Sequence, residues 1–577
     1  MGAVENIITD NLPIWSSAIQ SKSSAGRGTS NKRNLYGVKK LRELILDLAV
    51  RGLLVPQDPS DEPASVLLEK IAAEKGSLVK EGKIKKQKAL SDIELDELYC
   101  DLPKSWQWIR LGNLTNYGST DKVETNDVND TTWVLELEDV EKETSRLKAK
   151  IRFSERNFKS SKNTFLRGDV IYGKLRPYLD KVLVADENGV CTTEMIPVRG
   201  FADTSPEFLR LTMKSSSFKL YANNSTHGMN LPRMGTDKAR LALIPLPPLA
   251  EQHRIVAKVD ELMALCDTLV QQQENSIQAH ETLVEVLIEA LSNAVDADAF
   301  QAAWAHISKN FDALFTTDHS INKLKETILQ LAVMGKLVPQ DPNDEPASVL
   351  LEKIAAERDL LIKEGKIKKQ KTPAIKYESS YEQRLPDGWV LTNLSSVYDV
   401  RDGTHDSPKY QPSGFPLVTS KNLSSGELDI KNVKFISQQD HLKICDRSQV
   451  EKDDILFAMI GSIGNAVIVN IDPEFSIKNV ALFKYYKKSI SAPSYLLRFL
   501  LYAEHQLKAE ASGAVQSFVS LGKLREFVFP LPPLVEQHRI VAKVDELMAL
   551  CDQLKISLQQ AQETQILLTD AVVENAL

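Results

Sequence analysis

Cysteine is scarce and scattered in this 577-residue chain: Cys100, Cys191, Cys266, Cys445 and Cys551 form no CxxC pair and have no histidine pair nearby. Neither a disulfide framework nor a zinc site is indicated. No apolar run approaches the roughly 20 residues that span a bilayer. The N-terminal residues also lack a basic segment followed by an apolar stretch. The expectation is a soluble, cytoplasmic chain without a membrane segment.

Catalytic signatures are missing as well. An adenine methyltransferase needs an Asn/Asp-Pro-Pro-aromatic motif, because the target amine requires acceptors and a stacking ring; both Pro-Pro pairs here lie inside "LPPL". The stretch "GDVIYGKL" at Gly168 has the spacing of a phosphate-binding loop, but Leu175 stands where a hydroxyl should meet magnesium. No helicase box accompanies it. Glu81-Gly82-Lys83 and Glu364-Gly365-Lys366 spell the end of a common nuclease motif, with Asp61 and Asp344 upstream, yet no Pro-Asp pair stands at the expected place. A nuclease is therefore the weakest of the alternatives left open.

Composition is that of an ordinary folded protein, 42% apolar and 26% charged, and the length suggests several domains. The net charge of -7 is unevenly spread. Residues 102–244 carry 22 Lys+Arg against 18 Asp+Glu, and within them residues 144–240 carry 18 against 9. Residues 385–529 balance at 16 against 16, so the acidity resides elsewhere. An average over domains can hide a local basic footprint.

What the chain has in abundance is itself. "PLPPLAEQHRIVAKVDELMALCD" (Pro245–Asp267) returns as Pro530–Asp552 with one change, Ala250 to Val535. A second segment, Leu41–Lys88, returns as Leu324–Lys371 with 38 of 48 positions identical. In the middle of the chain the first repeat leads into the second; the other copy is split, its first part ending the chain and its second beginning at Leu41. The sequence reads as a circle of two equivalent halves opened inside one connector. It predicts termini near one another and a pseudo-twofold axis.

The repeated segments read as helices. Ile255, Val259, Leu262, Cys266 and Leu269 recur at steps of four and three, as do Ile540, Val544, Leu547, Cys551 and Leu554, the apolar seam of a coiled coil. The two cysteines fall on that seam, where a small buried side chain is expected rather than a reactive thiol. Pro247-Pro248 and Pro532-Pro533 mark the helix entries, with Glu251 and Glu536 close behind, where the helix dipole favours a carboxylate. Between the repeats lie two dissimilar inserts. They open alike, "LPKSWQWIRLGNL" from Leu102 and "LPDGWVLTNLSSV" from Leu385, close alike at "PLPPL", and hold short β-type runs broken by turns.

Two variable inserts, each opening with LPxxW and closing with PLPPLxEQxRIVxKVDxLMALCD, resemble the DNA specificity subunit of type I restriction-modification systems, over nearly the whole chain from Leu41. The resemblance implies an α+β chain: two globular α/β target recognition domains joined by two long antiparallel conserved helices as a coiled-coil spacer. The expected divisions are an N-terminal extension (1–40), a conserved helical region (41–101), recognition domain one (102–248), a central helical region (249–384), recognition domain two (385–533) and a C-terminal helix (534–577). The extension has no visible counterpart. Implied partners are double-stranded DNA, two modification subunits and restriction subunits. No cofactor is implied in this chain; S-adenosylmethionine belongs to the modification partner, ATP and magnesium to the restriction partner.

Polar residues on loop-like stretches are the candidate DNA contacts. In the first insert they are Lys174 and Arg176, beside Tyr172 and Tyr178, and then His227, Asn230, Arg233 and Lys238. In the second they are Arg401, Thr404, His405, Lys409, Lys421, Asn422, Ser462, Asn465, Gln516 and Ser517. A coiled-coil scaffold binding only proteins remains the main alternative, although it would not need two diversified inserts.

Overall fold

The structure is a computed structural model describing residues 3–21, 33–369, 385–461, 463–472, 474–511 and 518–577. The chain divides into two compact units, Met1–Ile277 with Gln560–Leu577, and Gln278–Gln559. Two long helices, Leu249–Ser292 and Leu534–Ala576, are each shared between the units. The content is mixed helix and sheet, an α+β chain.

Each unit contains one copy of the same scaffold. In the first, helix Tyr36–Val50 packs against the long-helix seam: Leu41, Ile45 and Leu48 share a buried cluster with Ile255, Val259, Leu262 and Cys266, and Leu269 lies at its edge. In the second, helix Asp318–Val333 supplies Ile321, Ile328 and Leu331 to a cluster with Ile540, Val544 and Cys551, flanked by Leu547 and Leu554. The 3-4 spacing therefore marks the buried face, and the shorter repeat helix is one of its coverings. Arg42 to Asp267 and Lys325 to Asp552 tie the same pair of elements in each unit. Burial pushes the Cys266 thiol up to about 11, as befits a packing residue.

The three short motifs of the repeats converge on one carboxylate. Glu251, in the first turn of its helix and 1% exposed, accepts from Trp106 Nε1 at 3.0 Å and Gln57 Nε2 at 2.6 Å. Glu536 does the same with Trp389 and Gln340, each at 3.0 Å. Burial pushes both carboxyls above their ordinary range, opposed by these hydrogen bonds. The neighbouring glutamines, Gln252 and Gln537, donate back to Pro247 O and Pro532 O. Arg254 and Arg539 grip Asp61 and Asp344 through both carboxylate oxygens. Gly52 and Gly335 have positive φ, and a Cβ there would meet Pro103 or Pro386 at 2.4 or 2.3 Å. Only glycine lets the proline of LPxxW approach so closely.

Both inserts start and finish in one antiparallel strand pair, Gln107–Arg110 with Leu243–Leu246 and Val390–Asn393 with Val528–Leu531. Beyond it the topologies differ. The first insert has a four-stranded sheet of Lys122–Val123, Lys162–Phe165, Gly189–Cys191 and Trp133–Leu135, and a three-stranded sheet centred on Val170–Gly173. The second has a four-stranded sheet of Tyr398–Asp402, Val480–Tyr485, Ile455–Ala458 and Gly464–Ile468, and a three-stranded sheet centred on Phe415–Thr419.

The N-terminal extension is part of the scaffold, which corrects the expectation that it has no counterpart. Helices Ala3–Asp10 and Leu12–Ser17 precede Tyr36–Val50 as Ala297–Lys309 and Phe311–Leu314 precede Asp318–Val333. Trp15 and Ile8 are buried in the first unit's core, with Val572, Val573 and Ala576 of the C-terminal helix packed on the same cluster. Tyr36 donates to Asp570 at 2.7 Å, Ser17 to Gln565 at 2.8 Å, and Arg51 to Leu577 O at 3.1 Å. The last residues of the chain lie against its first helices.

Candidate nucleic-acid interface

In the first insert, candidates far apart in sequence meet. Thr226–His227 and Arg233–Met234 form a hairpin whose tip carries His227, fully exposed Met229, Asn230 and Leu231. The segment Lys174–Arg176 runs beside it: Arg176 N donates to Pro232 O at 2.7 Å, and Met234 N to Lys174 O at 3.0 Å. Arg176 Nη2 lies 3.5 Å from Asn230 O, at the outer limit of a hydrogen bond, and no carboxylate is within ion-pair distance among the described residues. Arg233 is already held, its Nε 3.0 Å from both oxygens of Glu194. Lys238 is exposed on helix Thr236–Leu241 just after the hairpin.

A buried ion pair braces this surface from beneath. Arg176 and Asp180 both have positive φ and bracket the turn Pro177–Leu179 that exposes Tyr178. Lys214, 7% exposed, donates to Asp180 Oδ2 at 3.0 Å and Ser145 Oγ at 2.6 Å. Burial pulls the Lys214 ammonium down from its ordinary value, with Asp180 opposing. Tyr172, the aromatic neighbour of Lys174 in sequence, is buried in the core.

The second insert presents a polar patch around Thr404 and His405. Thr404 pairs with Lys478 of strand Ser476–Lys478, and His405 places Nε2 2.9 Å from Asp402 and Nδ1 3.2 Å from Asn479. Arg447 also binds Asp402, and Lys478 reaches Ser407 at 2.6 Å. Lys409 and Lys421 are exposed, and Asn465 is half-buried at positive φ. Arg401 is occupied by Asp399 at 2.6 Å.

Asn422 requires a correction. It is 5% exposed, accepts from Thr419 N and Oγ1, and donates to Asn432 O, so it fixes a turn rather than facing a ligand. Ser462, Gln516 and Ser517 lie outside the described residues. Sequence reasoning passed over Lys478 and Asn479, which strand pairing brings beside Thr404 and His405, and Arg447, which helix Gln438–Ser448 brings to Asp402. The upstream acids of the nuclease alternative are engaged elsewhere, Asp61 by Arg254 and Asp344 by Arg539, while Glu81 and Glu364 pair with Lys83 and Lys366.

Truncating the hairpin's free polar groups has a defined consequence. If the hairpin reads a base edge, Arg176→Ala or Asn230→Ala relaxes discrimination at one base position by about 1–3 kcal/mol, the range for a lost base-edge contact. Asn422→Ala is expected to lower stability without altering the sequence read. Methylation motifs mapped in cells expressing each variant check both outcomes.

Each unit holds one of two dissimilar inserts, with exposed basic and polar loops, on a matched frame. A family model for the type I restriction modification DNA specificity domain matches residues 103–279 and again 386–563, and the chain belongs to this family. It is 39% identical to the EcoAI specificity subunit and 36% identical to the EcoEI specificity subunit, both type I restriction enzymes of Escherichia coli, over the whole of each chain. A solved HsdS subunit from Thermoanaerobacter tengcongensis aligns over 83% of this chain and 98% of its own at 20% identity, with a TM-score of 0.43. The protein is a non-catalytic DNA-recognition subunit. No helix among the described residues is long and apolar enough to cross a membrane.

Proposed function

We propose that each insert is a target recognition domain reading one half of a gapped, asymmetric DNA sequence, and that the two long helices run antiparallel as the spacer that sets the gap. The observation that carries this reading is the duplicated frame. The Trp–Glu–Gln anchor and the closing strand pair recur in both units, while the sheets they hold differ. Equivalent mounting with different reading surfaces suits two half-sites of unlike sequence. A helix of 44 residues is about 66 Å long, close to two turns of B-DNA at roughly 34 Å each.

The exposed residues His227, Asn230, Lys238, His405, Lys409 and Lys421, with half-buried Lys174, Arg176, Thr404 and Asn465, are the proposed contacts. Lysines suit phosphates, and the arginine and amide groups suit base edges. The helical scaffold docks two modification subunits that methylate adenine at N6, with restriction subunits joining for cleavage. The complex works in the cytoplasm, where the chromosome is. Mapping N6-methyladenine by single-molecule sequencing, with and without an in-frame deletion of the gene, tests the reading. A two-part motif should vanish on deletion; its persistence while the partner subunits are active would leave a protein-binding scaffold as the better account.

A further inference from the structure

The repeated stretch "KEGKIKKQK" is not used by the reading above, and it has the properties of a ligand surface. In both copies a helix, Ala64–Lys80 or Ala347–Lys363, stops at a glycine with φ near +70°, Gly82 or Gly365. The following lysine N donates back to the helix at 3.0 Å, from Lys83 to Leu78 O and from Lys366 to Leu361 O. Ile84 and Ile367 then turn into the cores. This clamps the backbone and directs the next lysines outward. Lys85, Lys86, Lys368 and Lys369 are exposed and have no ion-pair partner among the described residues.

In the first unit this segment adjoins the candidate reading surface. Gln87 donates to Ser119 Oγ at 2.8 Å, and Lys88 O accepts from Arg240 at 3.1 Å, on the helix that follows the hairpin. We propose that the two lysine segments are sequence-independent phosphate clamps, each gripping the DNA backbone beside the half-site that its insert reads. The proposal rests on the recognition reading above. Identity between the copies is expected for such a ligand, because the phosphate backbone is the same at both half-sites while the bases differ. A protein partner is the poorer match. Lysine is depleted in protein interfaces, and the one apolar side chain between Gly82 and Gln87, Ile84, is packed inward. Unpaired ammonium groups on a fixed backbone suit phosphate oxygens.

The test uses the subunit assembled with its modification subunits and carrying Lys85→Ala, Lys86→Ala, Lys368→Ala and Lys369→Ala together. Binding is measured from about 50 to 200 mM salt, on a duplex bearing the wild-type motif and on a scrambled duplex. Affinity for both should fall by at least about tenfold at low salt. The log–log salt slope should become shallower by about 3–4, at roughly 0.9 per lost phosphate contact. The methylated motif should be unchanged, and arginine at the same four positions should restore the slope. An unchanged slope overturns the proposal, as does loss of the modification subunits from the complex, which would make the segments a protein-docking surface. A changed preference between the duplexes would make the lysines base readers and overturn it equally. If the wild-type complex itself shows no preference for the motif, the recognition reading fails rather than the clamp.

Discussion

Glu251→Ala is expected to destabilise the first unit by about 1–3 kcal/mol, and Glu536→Ala the second by a similar amount. Each substitution leaves a buried indole N–H without its acceptor, and an unsatisfied buried donor costs about 1–3 kcal/mol, whereas the exposed amides of Gln57 and Gln340 keep backbone acceptors at Gly52 and Gly335. Relief from burying a carboxylate offsets part of that loss, since both carboxyls are held above their ordinary range by desolvation. Glutamine at either position keeps one acceptor and should cost less. The folded-state pKa is raised, so wild-type stability declines as pH climbs from the ordinary value of 4.5 through the folded one, and glutamine has no such titration. The gap between wild type and Glu251→Gln should therefore narrow over that window. Thermal melts of each variant against pH measure both effects; a gap that widens with pH would mean that the hydrogen bonds lower the carboxyl pKa more than burial raises it.

The scaffold was legible in the sequence because its physics is local. The seam positions Ile255, Val259 and Leu262, and Ile540 and Val544, are identifiable from 3-4 spacing alone, since one face of a helix must be apolar to be buried. The partners of Glu251 were not legible: Trp106 and Gln57 stand 145 and 194 residues away, and nothing within the helix names them. Within the inserts the balance reverses. His227, Asn230 and Lys409 are exposed as polar loop residues should be, but so are many surface groups. The Asn422 error had a signal against it, because Thr419 stands three residues earlier in the arrangement of a reciprocal cap, and a polar residue serving a turn is held by the backbone. The Asp402–His405–Asn479 patch depends on the antiparallel pairing of Tyr398–Asp402 with Val480–Tyr485 and on the Thr404–Lys478 bridge, between segments far apart in sequence, which pattern reading does not reach.

Replacing residues 107–246 with the corresponding insert of another family member is expected to change one half of the methylated motif completely and leave the other half intact. The strand pair is what makes this exchange feasible. Gln107–Arg110 and Leu243–Leu246 are antiparallel partners, so the insert leaves and rejoins the scaffold at adjacent points, and a domain mounted there need only match that register. The anchor stays outside the exchanged region, since Trp106, Gln57 and Glu251 all belong to the retained frame. Moving the boundary inside the pair should fail, because unpaired strand backbone buried in the frame costs as much as other unsatisfied polar groups. The basic surplus of residues 144–240 leaves with the insert, so affinity should track the donor's charge at low salt even where the new half-site is read correctly. Methylation mapping in cells carrying the chimera gives the answer directly: a motif altered in both halves would mean that the two inserts do not read independently, and an unaltered motif would place recognition outside residues 107–246.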